Sequence, residues 1–227
     1  MVKEIINPIY EIWGFELFDK IWSSTNFNKE QTNLIVDSLK STDKLLDLGI
    51  GVGNVAKKFL ETGKDVCGID ITLKSLNYVK KKIGILGKKL VLLRMDAQKL
   101  NFKEEFDGAY CASNLAYFSD LNAVMVGVHS ALKLKGLFAI TGYEKEKMDK
   151  WVTLTGKESL QAIQEGKVTL TKKELKMLSI SQNVDLTQQI DSSERTIETL
   201  LKNGFIILSK CEFYYNTCYF ILAQKSE

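Results

Sequence analysis

The chain has 227 residues, 45% of them hydrophobic, 10% aromatic and 26% charged, enough apolar material for one sizeable core, which excludes a chain disordered throughout. Its 31 Lys and Arg are balanced by 28 Asp and Glu along the whole length, so a net charge of +3 gives no strong pull toward nucleic acid. No run approaches 18 consecutive apolar residues and the opening MVKEIINPIY lacks a secretion-signal core, so no membrane span is expected and the cytoplasm is the expected compartment.

Residues 9–40 carry apolar residues at helical spacing: Ile9, Ile12, Trp13, Leu17, Ile21 and Trp22 form one stripe, and Leu34, Ile35 and Leu39 another. Two N-terminal helices follow. From residue 44, short apolar runs alternate with amphipathic stretches: KLLDLG, a helix over 53–62, DVCGID, a helix over 73–83, LVLLRMD, FDGAYCAS, a helix over 121–134 and GLFAITGY. Five strands joined by crossovers suit a doubly wound parallel sheet. Residues 144–193 break the rhythm; they are polar and mostly helical in spacing and read as either an inserted lid or a poorly ordered loop, with Leu170, Leu175, Leu178 and Ile180 favouring partial packing. A helix within SSERTIETLLKNGF is capped by Ser192 or Ser193 and ended by Gly204. The last two apolar runs, FIILSKCEFYY and TCYFILAQ, are separated by little more than Asn216 and predict an antiparallel hairpin. Cys67, Cys111, Cys211 and Cys218 lack C-x-x-C spacing and read as reduced core thiols, so no metal site is expected. One domain results, with an N-terminal helical cover (1–42), a ligand-binding core (43–143), the lid insert (144–193) and a terminal helix and hairpin (194–227).

Gly49, Gly51 and Gly53 alternate where the first strand meets its helix. A helix N-terminus carries unpaired amides, and glycines let a ligand approach the backbone, so a ligand across the carboxyl end of the first strand is predicted. A tight turn with nothing bound is the plainer alternative for the glycines alone. Asp70 ends the second run, 23 residues after Asp47, where a carboxylate can accept both hydrogens of a ribose diol, and Asp96 ends the third. On a parallel sheet all three aspartates are expected at one crevice. Gly51, Gly53 and Ala56 also satisfy the G-x-G-x-x-A form of a dinucleotide fingerprint with Asp70 as its acid, which would make the protein an NAD(P)-dependent oxidoreductase; Asp47, Asp96 and the terminal hairpin are not needed by that reading.

LLDLGIGVGNVAKKFL, VCGIDIT, LLRMDAQKLNF and FDGAYCASNLAYFSD together resemble the four sequence motifs of class I S-adenosylmethionine-dependent methyltransferases of the small-molecule type, over residues 42–143 with the tail 194–224 fitting as well. The resemblance implies a Rossmann-like seven-stranded sheet and S-adenosyl-L-methionine as cofactor. It implies that the loop 47–53, with Asp47, Gly49, Gly51 and Gly53, holds the methionine portion, Asp70 the ribose and Ile71 one adenine face. Asp96 and the Ala97 amide would meet the adenine amino group, and Asn114 would line the methionine end. ALKLKGLFAITGY departs from the family's usual proline and paired glycines. A catalytically silent protein using the same fold to bind the nucleoside is a further alternative.

Methyl transfer from a sulfonium is an in-line displacement that chiefly needs alignment and exclusion of water. The lone histidine, His129, sits in a helix well before the fifth strand and reads as structural; where many relatives place a histidine after the fourth motif, this chain has Tyr117 and Phe118. The family's Asn-Pro-Pro-aromatic signature for planar amino groups is replaced by SNLAYF, so a nucleic-acid partner is not expected and a small molecule is. Tyr117 is the catalytic candidate, Tyr10 the candidate to close over the methionine carboxylate, and Trp13, Trp22, Tyr117 and Tyr143 the candidates to touch the acceptor.

Overall fold

In the computed structural model, which describes residues 8–84, 89–180 and 192–226, the apolar runs become seven strands. These are β1 (Lys44–Leu48), β2 (Asp65–Asp70), β3 (Leu90–Arg94), β4 (Phe106–Ala112), β5 (Leu132–Tyr143), β6 (Phe205–Phe213) and β7 (Cys218–Lys225). They form a single sheet in the order β3-β2-β1-β4-β5-β7-β6. β1 to β5 are mutually parallel, and β7 inserts antiparallel between β5 and β6. A dinucleotide-binding sheet of the oxidoreductase type keeps a parallel sixth strand next to the fifth. The antiparallel β7 in that place is the first departure from the oxidoreductase alternative.

Successive side chains of a strand point to opposite faces, so the sheet sorts its own core. On one face Leu45 joins Phe27, Ile35, Phe59, Val79 and Tyr110 beneath α2 (Asn26–Ser38), α3 (Asn54–Glu61) and α4 (Leu73–Ile83). On the other Leu46 joins Ile69, Ala109, Val128, Phe138 and Leu200 beneath α5 (Leu121–Ala131) and α8 (Ser193–Lys202). Each such aliphatic or aromatic side chain contributes about 1.5–3 kcal/mol by leaving water. Caps set the helix starts: Thr25 accepts from the Asn28 amide at 3.2 Å and begins α2. Ser192, not Ser193, accepts from the Arg195 amide at 3.3 Å and begins α8, which ends before Gly204 at φ 78°.

The N-terminal helix α1 (Pro8–Trp22) is bent at Gly14, whose φ 74° and ψ 167° are open to glycine alone. Leu17 and Ile21 pack with Ala162 of α6 (Met148–Gln164), with Val168, and with Met177 and Leu178 of α7 (Lys172–Ile180) in a third cluster. The insert is therefore helical and seated on α1. Leu170 and Leu178 pack as expected, whereas Leu175 is about half exposed because it faces away from that cluster. The side chains of Ile9 and Ile180 lie outside the described residues.

Two boundaries and one cysteine differ from expectation. α5 ends at Ala131, three residues early, because Leu132 pairs with Phe106 before a turn through Lys135 (φ 61°) lets β4 and β5 resume at Gly108 and Leu137. The hairpin turn is wider than Asn216: Tyr214, Tyr215 and Asn216 are all left-handed, and the Thr217 hydroxyl donates to the Tyr214 carbonyl at 2.7 Å. Cys67, Cys111 and Cys218 are buried thiols, but Cys211 is exposed, since β6 is an edge strand.

Candidate active site

The carboxyl ends of β1, β2, β3 and β4 bring the glycine loop, Asp70, Asp96 and Asn114 to one edge of the sheet. All three glycines of the loop have left-handed φ (74°, 54° and 73°). A Cβ on Gly49 would stand 2.8 Å from Asn114 Nδ2, and one on Gly51 would stand 3.0 Å from the Tyr10 hydroxyl. The alternate glycines thus answer two needs at once: backbone geometry, and close approach by side chains from α1 and from the segment after β4.

Asp70 organises this loop. Its Oδ2 accepts from the Gly51 amide at 3.1 Å and from the Ser75 hydroxyl at 2.8 Å, and its Oδ1 accepts from the Thr72 amide (2.9 Å) and hydroxyl (2.8 Å). A carboxylate has about four lone-pair sites, so these are filled. One can be vacated: the single hydroxyl hydrogen of Ser75 also reaches the Gly51 carbonyl at 2.7 Å, and turning there frees Asp70 Oδ2 for an incoming hydroxyl. Ile71, half-buried beside Asp70, has its carbonyl held by Arg94 Nε at 3.0 Å. Asp96 caps a short turn of helix (Ala97–Lys99) by accepting from the Gln98 amide at 2.9 Å, with Ala97 buried behind it.

Asp47 departs from the expected row of strand-end acids. It lies one residue before the end of β1, on the Leu45 face, and is 3% exposed. The Tyr110 hydroxyl, from the paired position on β4, donates to its Oδ2 at 2.9 Å. Burial pushes its carboxyl up to about 8, against the Tyr110 hydrogen bond, and the Asp70 charge adds to the rise. The Asn114 amide donates to the carbonyls of Leu48 (3.2 Å) and Gly49 (2.5 Å), so it clasps the glycine loop from the β4 side.

Above the loop, the Tyr10 ring stacks on Phe15 and meets Phe18 edge-on, both at 4.5 Å. Burial raises the pKa of Tyr10, and nearby Tyr117 and Asp70 raise it further; burial does the same to Tyr143, again with Tyr117 as a neighbour. Tyr117 is thus a neighbour of both Tyr10 and Tyr143. Trp22 is packed between Phe18 and Phe27, each 5.1 Å away, while Tyr143 meets Trp151 of α6 at 4.7 Å. Trp13 reaches this group through Phe18, 6.5 Å away, and also packs in the third cluster, against α6 and α7. His129 stands at the opposite edge of the sheet, edge-on to Phe205 at 5.3 Å, with burial lowering its pKa; its role there is packing.

Several participants escaped the sequence reading. Tyr110 faces Asp47 only through the β1–β4 register, and Gln31 of α2, 3% exposed, donates to Thr141 at 2.8 Å and to Ser113, whose φ is 58°. Thr72 and Ser75 stand at the start of α4, where neither hydroxyl caps the helix and both turn to Asp70 instead.

Residues 46–140 match a family of methyltransferase domains. Over that core the chain is a methyltransferase domain, and its strand order is that of the class I, S-adenosylmethionine-dependent fold. It is similar to YqeM of Bacillus subtilis, named as a methyltransferase, at 24% identity over 173 residues, covering 66% of this chain and 69% of that one. A Caenorhabditis elegans protein named as a dimethyladenosine transferase is 30% identical over 155 residues, 66% of this chain, which spans about half (48%) of that relative. Among solved structures, the N-methyltransferase NodS of Bradyrhizobium japonicum, in complex with S-adenosyl-L-homocysteine, superposes with a TM-score of 0.67 at 15% identity, over 97% of this chain and all (100%) of that one. The methyltransferase fold thus extends beyond the matched core to the N-terminal helices and the insert. Among the described residues, no cluster of His, Cys, Asp and Glu could hold a metal, and no helix is long and apolar enough to cross a membrane.

Proposed function

We propose that the protein transfers the methyl group of S-adenosylmethionine to a small-molecule acceptor held beneath the N-terminal aromatics. The observation that carries this is the glycine loop itself, whose Gly51 amide is held by Asp70 and over which the Tyr10 hydroxyl of α1 closes to 3.0 Å from where a Gly51 Cβ would stand, under helices that the sheet does not need. Asp70 takes the ribose diol, with Ser75 turning to the Gly51 carbonyl to admit it. Ile71 lies on the adenine, Asp96 and the Ala97 amide take its amino group, and the loop 47–53 with Tyr10 encloses the methionine end. Bound there, S-adenosylmethionine would supply a methyl group on a sulfonium that passes in line to the acceptor's lone pair as the sulfur leaves as a neutral thioether. Tyr117 orients the acceptor or takes its proton; Tyr143 and Trp22 wall the site, and Trp13 supports that wall from the α6 side.

A second reading, methylation of a base amino group in RNA, draws on one specific feature. Asn114 and Tyr117 are three residues apart, the spacing of the amino-group signature without its prolines, and a relative named as a dimethyladenosine transferase matches this chain. The two readings separate with methyl-labelled S-adenosylmethionine and a cell extract fractionated into small molecules and RNA. Label entering the small-molecule fraction, with Tyr117→Phe slowing that transfer while leaving affinity for S-adenosylhomocysteine unchanged, is the expected outcome. Label entering ribosomal RNA instead would overturn the small-molecule reading.

A further inference from the structure

Lys82, near the end of α4, sits where the core reading has no use for a lysine. Its side chain is 18% exposed and that of Asp19, on α1, 12%. The ammonium lies 2.7 and 2.8 Å from the two Asp19 carboxylate oxygens, and it also donates to the Val52 carbonyl at 3.0 Å and to Asn54 Oδ1 at 2.5 Å. Its three hydrogens are thus divided between α1 and the glycine loop. Asp19 is fixed in turn by the Tyr78 hydroxyl at 2.7 Å and the Ser23 hydroxyl at 2.8 Å. An ion pair this far out of water forfeits much of its Coulombic gain to desolvation, and apolar side chains would hold two helices together as well. Geometry is what the pair adds, since it sets the distance from α1 to the loop.

We infer that Asp19 and Lys82 are positioning residues for cofactor binding, a strut that holds α1 at the height where Tyr10 closes over Gly51. Gly14 breaks α1 between the two points, so the segment carrying Tyr10 has no helical continuity with the segment carrying Asp19. Its placement depends on ring contacts to Phe15 and Phe18, both on the strutted side of the bend. Loosening the strut lets those rings, and Tyr10 with them, rise from the loop. This rests on the reading that Tyr10 encloses the methionine end.

The test is a double-mutant cycle on the full chain, read by calorimetric affinity for S-adenosylhomocysteine. Tyr10→Ala and Lys82→Met should each weaken binding, Lys82→Met by roughly five- to tenfold, and the double variant should bind no worse than Tyr10→Ala alone, as two residues of one unit do. Lys82→Arg, which keeps the charge and reaches the same carboxylate, should restore most of the affinity. If Lys82→Met does not fold, Asp19→Asn takes its place in the cycle. Unchanged affinity in the strut variant beside a weakened Tyr10→Ala would overturn the strut. Losses that multiply in the double variant would do the same, because they place Lys82 outside the Tyr10 contact. A silent Tyr10→Ala would instead remove the Tyr10 reading on which the strut depends.

Discussion

Asp47 shows how much a single residue's neighbours decide. Its place before the glycines is legible in LLDLG, but its protonation is not, because that depends on how deeply the folded sheet buries it, against the opposing hydrogen bond of a β4 tyrosine 63 positions away. With its carboxyl raised to about 8 by burial, the folded state keeps the proton that an unfolded chain loses near the ordinary carboxylate range. Between about pH 4 and 8 the native state therefore binds more protons than the unfolded state, and stability falls as pH rises through that window. Asp47→Asn, which is neutral throughout, removes this slope. Chemical denaturation at pH 5 and pH 8.5 should show the native protein losing more stability than the variant; equal losses would mean that Asp47 is already ionised. Asp70 is the contrasting case. Its place at a strand end was legible, while the four donors around it were visible only once the loop and α4 were in place.

Elements were legible where one periodicity ran uninterrupted, as in α3, α4 and the five parallel strands. They blurred where local backbone won over pattern: the left-handed run through the 214–217 turn and the early end of α5 are set by strand register, which apolar spacing does not encode. The insert is intermediate, since helical spacing was visible but its seat on α1 was not. The start of α6 is anchored in the large core by Met148 and Trp151, but its end and α7 touch the rest of the chain through the small third cluster, with Val152, Leu160 and Leu175 left about half exposed or more, and the connection between them turns at Gly166 (φ 72°). Segments with few buried contacts open at low free energy, which suits a cover that must admit an acceptor. Trypsin should therefore cut the connection at Lys167 or the start of α7 in the free protein, and more slowly with S-adenosylhomocysteine present. Cleavage at one rate under both conditions would argue against the insert as a cover.

At the scale of the whole molecule, the strand order and the two large core clusters tie the glycine loop, Asp70 and Asn114 to a single sheet, while α1 bridges that sheet to the insert through both the third cluster and the ring stack over Gly51. A ligand that binds only this assembled state stabilises all of it. S-adenosylhomocysteine at a hundred times its Kd adds about 2.7 kcal/mol, which for a chain of this size is a Tm rise of roughly 5–10 °C. NAD, which needs the sixth strand parallel and the loop free of a covering tyrosine, should give no rise. The shape of the transition carries the architectural half of the argument. If α1 transmits the ligand's stabilisation, the insert melts with the sheet in one transition that moves as a unit, its midpoint climbing with each tenfold increase in ligand. An early transition that stays in place while a later one moves would mean that α6 and α7 unfold by themselves, and that the bridge through α1 carries no coupling between cover and cofactor.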